Sequence, residues 1–207
     1  MCRKVKPSRW VGLVATVILF GCANAPPIQE MSDARQSVRA AVEAGAEHYF
    51  PTIMERVDAL LTKAEKELAV ADFRGAEQHA LAAKTEAVRA RSLVLTLTST
   101  IETVEQAERV TKLDPNTRAV LQQAQDAASQ GNEAVTMAFM EQARQEAESA
   151  LEDYDLERAQ TLAANLRSEP KRLRNSALRE ALEAAEAAVR HHEGHRAYGL
   201  LAPYVPH

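Results

Sequence analysis

The sequence predicts an all-α protein: an elongated, Ala-rich antiparallel bundle of coiled-coil hairpins, with seven or eight helices and one long central helix. Three observations predict it. Ala, Glu, Gln, Arg and Leu are abundant, while the chain holds only 7 Gly and 4% aromatic residues; the abundant types lose least on entering a helix. Apolar residues recur at steps of three and four over most of the length. Proline, glycine and capping residues punctuate that pattern with very short breaks, which makes sequence neighbours antiparallel.

The chain opens on a different pattern. Arg3, Lys4, Lys6 and Arg9 precede an apolar run from Val11 to Phe20 that only Gly12 and Thr16 interrupt. A charged region followed by a short apolar one is the pattern of an export signal, and a membrane span would need about 20 apolar residues. Leu19-Phe20-Gly21-Cys22 resembles the lipobox of bacterial lipoproteins. That resemblance implies cleavage between Gly21 and Cys22 and acylation of Cys22 as the first mature residue. Ala23, in the place where retained inner-membrane lipoproteins often carry Asp, implies an outer-membrane destination facing the periplasm. Several acyl chains at about 0.8 kcal/mol per buried methylene would make that anchor nearly permanent. Cys2 leaves with the signal, so the mature chain holds no thiol for a disulfide and folds on packing alone.

The charge follows from the same division. The whole chain carries 25 Lys and Arg against 29 Asp and Glu, and the four basic residues of the signal leave 21 against 29. An acidic mature chain argues against nucleic acid and against a polybasic membrane patch.

Each element has its marks. Pro26-Pro27 forms a tether, and a first helix is expected from Ile28 to about His48, with Met31, Ala34, Val38, Ala41 and Gly45 on one face. Tyr49-Phe50-Pro51 breaks it, and Pro51 suits the first turn of a second helix carrying Met54, Val57, Leu61, Ala64 and Leu68. Asp72 is the expected N-cap of the third. In that helix Ala76, Ala80, Ala83, Ala87, Ala90, Val94, Leu97, Ile101 and Val104 alternate steps of four and three, a seam of period 3.5. Ser92 to Ile101 also alternates like a strand, but its flanks keep helical period, so helix is assigned.

A helix over 73 to 113 would be about 60 Å long at ~1.5 Å per residue. Its alanine half lets a partner axis come close, so the second helix is expected there. The far half, Val94, Leu97, Ile101 and Val104, is the candidate contact seam for an envelope partner or a second copy of the chain, although burial within the monomer is the preferred expectation. Beyond it, Asp114-Pro115 starts a helix, Gly131-Asn132 joins a C-cap to an N-cap, Asp155 reads as a further cap, and Ser168 to Pro170 as a break. The expected organisation is a signal over 1–21, a lipidated tether over 22–27, a hairpin domain over 28–113 and C-terminal hairpins over 114–207.

An internal repeat is expected. Ala64, Leu68, Asp72, Phe73, Ala76 and Ala80 match Ala147, Leu151, Asp155, Leu156, Ala159 and Ala163, with a looser copy at Ala185, Val189, Glu193, Gly194, Ala197 and Leu201. Each copy would be a hairpin whose turn is capped by the acid.

The segment EMSDARQSVRAAVEAGAEHYFPTIMERVDALLTKAEKELAVADFRGAEQHALAAKTEA resembles a bacterial envelope family, domain of unknown function number 4398. The matching features are Ala34-Arg35, Ala41, Gly45-Ala46, Tyr49 with Pro51, Leu61, Ala64, Ala71-Asp72-Phe73, Ala76 and Ala80. The resemblance implies an envelope lipoprotein without assigned catalytic residues. Some members carry a peptidoglycan-binding OmpA-like domain after the helices; here 115–207 holds more helices instead.

Chemistry-bearing motifs are sparse. His191 and His195 would share a face if one helix ran through His191-His192-Glu193-Gly194-His195, making them candidate metal ligands; the alternative is histidines interacting with a helix C-terminus and solvent. No phosphate loop, nucleophile elbow or Cys/His framework is present, and no cofactor is expected. The expected function is a non-enzymatic periplasmic lipoprotein, a structural or adaptor protein of the envelope. The alternatives are a tetratricopeptide-like peptide-binding scaffold, suggested by Asp155-Leu156-Glu157-Arg158-Ala159, and a periplasmic metal or solute binder.

Overall fold

A computed structural model describes residues 25–205, so Gly21, Cys22 and the expected signal lie outside the described residues. Among the described residues eight α-helices follow one another: α1 (Ile28–Glu43), α2 (Ala46–Tyr49), α3 (Pro51–Ala69), α4 (Phe73–Val110), α5 (Pro115–Ser129), α6 (Glu133–Arg167), α7 (Ser176–Arg190) and α8 (Gly194–Leu201). Short 3₁₀ turns cover Arg172–Arg174 and Ala202–Tyr204, and no strand occurs among the described residues. The all-α expectation holds, and the strand-like Ser92 to Ile101 is helical. Its threonines explain how: Thr96, Thr98, Thr100 and Thr103 donate their hydroxyls to the carbonyls of Ser92, Val94, Thr96 and Ser99. A β-branched residue of this kind keeps a helical rotamer while its oxygen bonds the preceding turn.

The described chain divides into two compact units, residues 25–43 with Ile53–Ala90, and Ala44–Thr52 with residues 91–205. The two units part inside α4, between Ala90 and Arg91.

In the first unit α1 and α3 pack on the alanine half of α4. Met31 and Ala34 meet Ala64, Ala80 and Ala83, with Leu60, Leu61 and Leu68 closing the cluster. Ala76, Ala80, Ala83, Ala87 and Ala90 are fully buried, so α4 offers no bulk along this stretch and its neighbours approach closely. Arg35 pairs with Glu65 at 2.9 Å and Lys84 with Asp33 at 2.8 Å. These pairs set the register of α1 against α3 and α4. Two expectations are corrected in this region. The first helix ends at Glu43 rather than near His48, because Gly45 adopts φ +95° and only the single turn α2 follows. That conformation suits glycine and ends a right-handed helix. The long helix ends at Val110, short of residue 113.

The second unit is built from α5 to α8 with the far half of α4. Asp114 caps α5 by accepting from the Asn116 amide, with Pro115 in the first turn, and Asn132 caps α6 by accepting from Val135. Leu166, Leu178, Leu182, Ala185 and Leu201 form its largest described cluster, with Leu162 and Tyr204 packed against it.

Asp155 is no cap. α6 runs unbroken from Glu133 to Arg167, so Asp155 lies in mid-helix and the second copy of the expected repeat is misplaced. The structural repeat is elsewhere. Ala71, Gly131 and His192 each adopt a positive φ, +61°, +73° and +57°, in the turns α3–α4, α5–α6 and α7–α8. After each, the next amide reaches back five residues: Asp72 to Glu67, Asn132 to Ala127 and Glu193 to Ala188. This is one helix-ending turn used three times. In that register Ala64, Ala76 and Ala80 correspond to Ala124, Thr136 and Met140 and to Ala185, Ala197 and Leu201, all of them buried. The looser copy was thus correctly placed. The middle one was missed because alanine at every fourth position matches itself in several registers.

Candidate functional site

The candidate contact seam is internal. Val94, Leu97 and Val104 are fully buried and Ile101 is half-buried, so these residues serve packing and are not an outward docking surface. Thr100, which the sequence reading did not place on the seam, is buried beside them with its hydroxyl satisfied by the Thr96 carbonyl.

The histidine pair does not share a helix face. α7 ends at Arg190, His192 turns the chain with its positive φ, and Gly194 opens a new helix. The i, i+4 geometry that would aim His191 and His195 at one ion is therefore absent. Among the described residues no group of three or more His, Cys, Asp or Glu side chains could hold a metal ion. His195 instead lies 3.1 Å from an Asp155 carboxylate oxygen, with its ring largely in solvent. His79 makes a comparable contact in the first unit, its Nδ1 2.6 Å from Glu67 Oε2 and 3.0 Å from the Gly75 carbonyl.

The densest polar and aromatic constellation sits where α8 meets α6. Gly194 makes the meeting possible: a Cβ there would stand 2.6 Å from the Leu156 amide nitrogen and closer still to the Glu152 carbonyl oxygen. With no side chain, the α8 terminus touches the α6 backbone, and the Gly194 amide donates to the Glu152 carboxylate. This approach carries His195 to Asp155 and Tyr198 to Arg158. The Arg158 guanidinium lies 3.9 Å from the centre of the Tyr198 ring and 5.3 Å from that of Tyr154. It also donates to the Tyr198 hydroxyl at 2.5 Å.

Stacking against two electron-rich ring faces holds a cation in place without removing it from water. Arg158 keeps 42% of its side-chain surface exposed. The open groove beside it encloses about 400 Å³, with Leu162 and Val205 as apolar wall and Asn165 as a polar group. Tyr154 and Arg158 stand four residues apart on one helix face, a spacing legible in the sequence. Tyr198 is brought to them only by the α6–α8 contact, for which the sequence carries one signal, the glycine at 194.

A second open cleft of about 550 Å³ lies between the start of α5 and α6, with Asp114, Glu146 and Asp153 on its walls. Two of these carboxylates have structural partners. Asp114 caps α5, and Glu146 accepts from the Thr117 hydroxyl at 2.8 Å and the Gln142 amide at 2.9 Å.

Fold and site together define an all-α hairpin protein with an exposed tyrosine–arginine groove. No protein family, curated protein or solved structure matches the chain.

Proposed function

We propose that the chain is a lipid-anchored, periplasm-facing adaptor or structural protein of a bacterial envelope, held in the outer membrane through Cys22 and working by contact rather than catalysis. The observation that carries this reading is the N-terminal pattern, four basic residues, a short apolar run and Leu19-Phe20-Gly21-Cys22. Two further facts support it. Among the described residues no helix is long and apolar enough to cross a membrane, so attachment there would fall to a lipid. The grooves are open and lined by side chains already engaged with one another, which suits a surface that meets another protein.

Of the surfaces described, the Tyr154, Arg158 and Tyr198 groove has the chemistry of a contact hot spot, because Tyr and Arg dominate interface energetics. The partner is an envelope protein, with neither nucleic acid nor a cofactor in the proposal. A second reading, a peptide-binding scaffold of stacked hairpins, is favoured by the threefold use of one turn at Ala71, Gly131 and His192. Homo-oligomerisation through the Val94 to Val104 seam is not proposed, since that seam is internal.

The test is crosslinking and affinity capture from envelopes labelled with radioactive palmitate, comparing wild type with Cys22→Ser. The expected result is a labelled wild-type protein, free of Trp10, that captures a reproducible partner, and an unlabelled variant that loses it. An unlabelled wild-type protein retaining Trp10 would mean the lipobox is misread, and absence of any reproducible partner would remove the adaptor reading.

A further inference from the structure

The two most exposed large apolar side chains among the described residues are Val70, at 76%, and Ile28, at 73%. They lie forty-two positions apart in sequence, yet both belong to the first unit and occupy the same end of it. Arg35 opposite Glu65 sets α1 and α3 antiparallel, and Met31 in one cluster with Leu68 continues that register to the start of α1. One turn further, Ile28 stands level with the α3–α4 turn that carries Val70. Ala25, Pro26, Ala69 and Ala71 are exposed at this end as well. The positive φ of Ala71 makes the turn tight, so Val70 projects from its tip.

Taking this tip out of water would stabilise whatever arrangement covers it, in proportion to the apolar area removed. The covalent chain points to the cover. Cys22 is six residues before Ile28, a distance the backbone spans in at most roughly 20 Å at ~3.3–3.6 Å per residue. We infer that this end of the first unit rests on the phospholipid leaflet that holds the anchor, with Ile28 and Val70 inserted at the headgroup boundary. The inference rests on the lipid-anchored reading above.

Two side chains would not hold a protein on a membrane unaided. A six-residue tether, however, turns their contact into an intramolecular event at high effective concentration. The charges around the tip are of both signs, Glu30, Glu67 and Asp72 with Lys66 and Arg74. The contact is therefore apolar rather than an attraction to anionic lipid, and added salt should leave it unchanged. Functionally, α1, α3 and the first half of α4 would stand with their hairpin end down, fixing which face of this unit a partner meets.

The experiment uses the full-length protein purified from membranes and reconstituted into phosphatidylethanolamine–phosphatidylglycerol vesicles carrying doxyl-labelled acyl chains. Ile28→Cys, Val70→Cys and Val42→Cys each carry an environment-sensitive fluorophore. Val42, 37% exposed near the far end of α1, is the control. Flotation with the vesicles reports anchoring, and quenching reports contact. The expected result is flotation of all three proteins with quenching at 28 and 70 several-fold above that at 42, unchanged by 0.5 M salt on the order of a three-fold excess over physiological ionic strength. Flotation with equal quenching at the three sites would overturn the inference while leaving lipid anchoring intact. A protein that does not float would overturn both. Crosslinking of one Val70→Cys protein to another, with quenching at 28 and 70 no greater than at 42, would assign the tip to a second copy of the chain and likewise overturn the inference.

Discussion

Ala71, Gly131 and His192 occupy the same left-handed turn, and only one of them is glycine. For an L-residue that conformation costs roughly 1–2 kcal/mol, which the surrounding hairpin must offset. Gly131 also faces a neighbour: a Cβ there would lie 3.1 Å from the Thr52 side chain, whose hydroxyl donates to the Ser129 carbonyl. Gly131→Ala should therefore destabilise the protein by about 1–2 kcal/mol, read as a lower urea midpoint with an unchanged slope. Ala71 and His192 show why this turn is hard to find by its glycines alone. Buried threonines teach a related lesson. Thr100, Thr117 and Thr136 sit in the core, each with a hydroxyl bonded to Thr96, Glu146 or Asn132, so polar type alone did not mark them as surface.

At the scale of the helix, the seam of α4 was readable because its spacing is strict, and from Ala76 to Val104 all of it is buried but Ile101, which is half-buried. What the spacing left open was whether the far half met another molecule or its own chain. α8 is the opposite case: an eight-residue helix seated by Ala197 and Leu201 against α6 and α7, with its first residue, Gly194, against the α6 backbone. Gly194→Ala would push a methyl group into the α6 backbone, where neither wall is a flexible side chain. Overpacking of this kind costs typically ~1–3 kcal/mol. The expected outcome is a lower urea midpoint together with loss of the Arg158–Tyr198 stacking, visible as a change in tyrosine fluorescence. A variant as stable as wild type, with that signal intact, would show that α8 is free to sit elsewhere.

At the scale of the whole molecule, an acidic chain depends on the partners of its carboxylates. Hydrogen bonds from Lys84 and Gln29 hold Asp33 below its ordinary 3.8. The Arg118 guanidinium does the same for Glu108, and Arg144 with Gln145 for Glu141, both below an ordinary 4.5. A carboxyl depressed in the folded state contributes stability that is present above its ordinary value and is lost as pH falls through the depressed one. Melting temperature should thus be level at neutral pH and fall below about pH 4.5. Glu108→Gln should flatten part of that acid slope while lowering the neutral plateau slightly, because an exposed pair contributes little. Arg118 and Arg144, raised by the same carboxylates, stay charged throughout this window.

The sequence by itself determined the helical class, most of the helix ends and the residues that make up the α4 seam, because propensity, capping and periodicity are local and act within a few residues of one another. Asp72, Asp114-Pro115 and Gly131-Asn132 were legible for that reason. Only the tertiary structure decided that α6 passes through Asp155 without a break, that a turn after α7 separates His191 from His195 in α8, and that Tyr198 meets Arg158. The physical reason is common to all three. Alanine at every fourth position fits several registers equally well, and the choice among them is made by contacts between residues about forty positions apart, such as Gly194 against the α6 backbone.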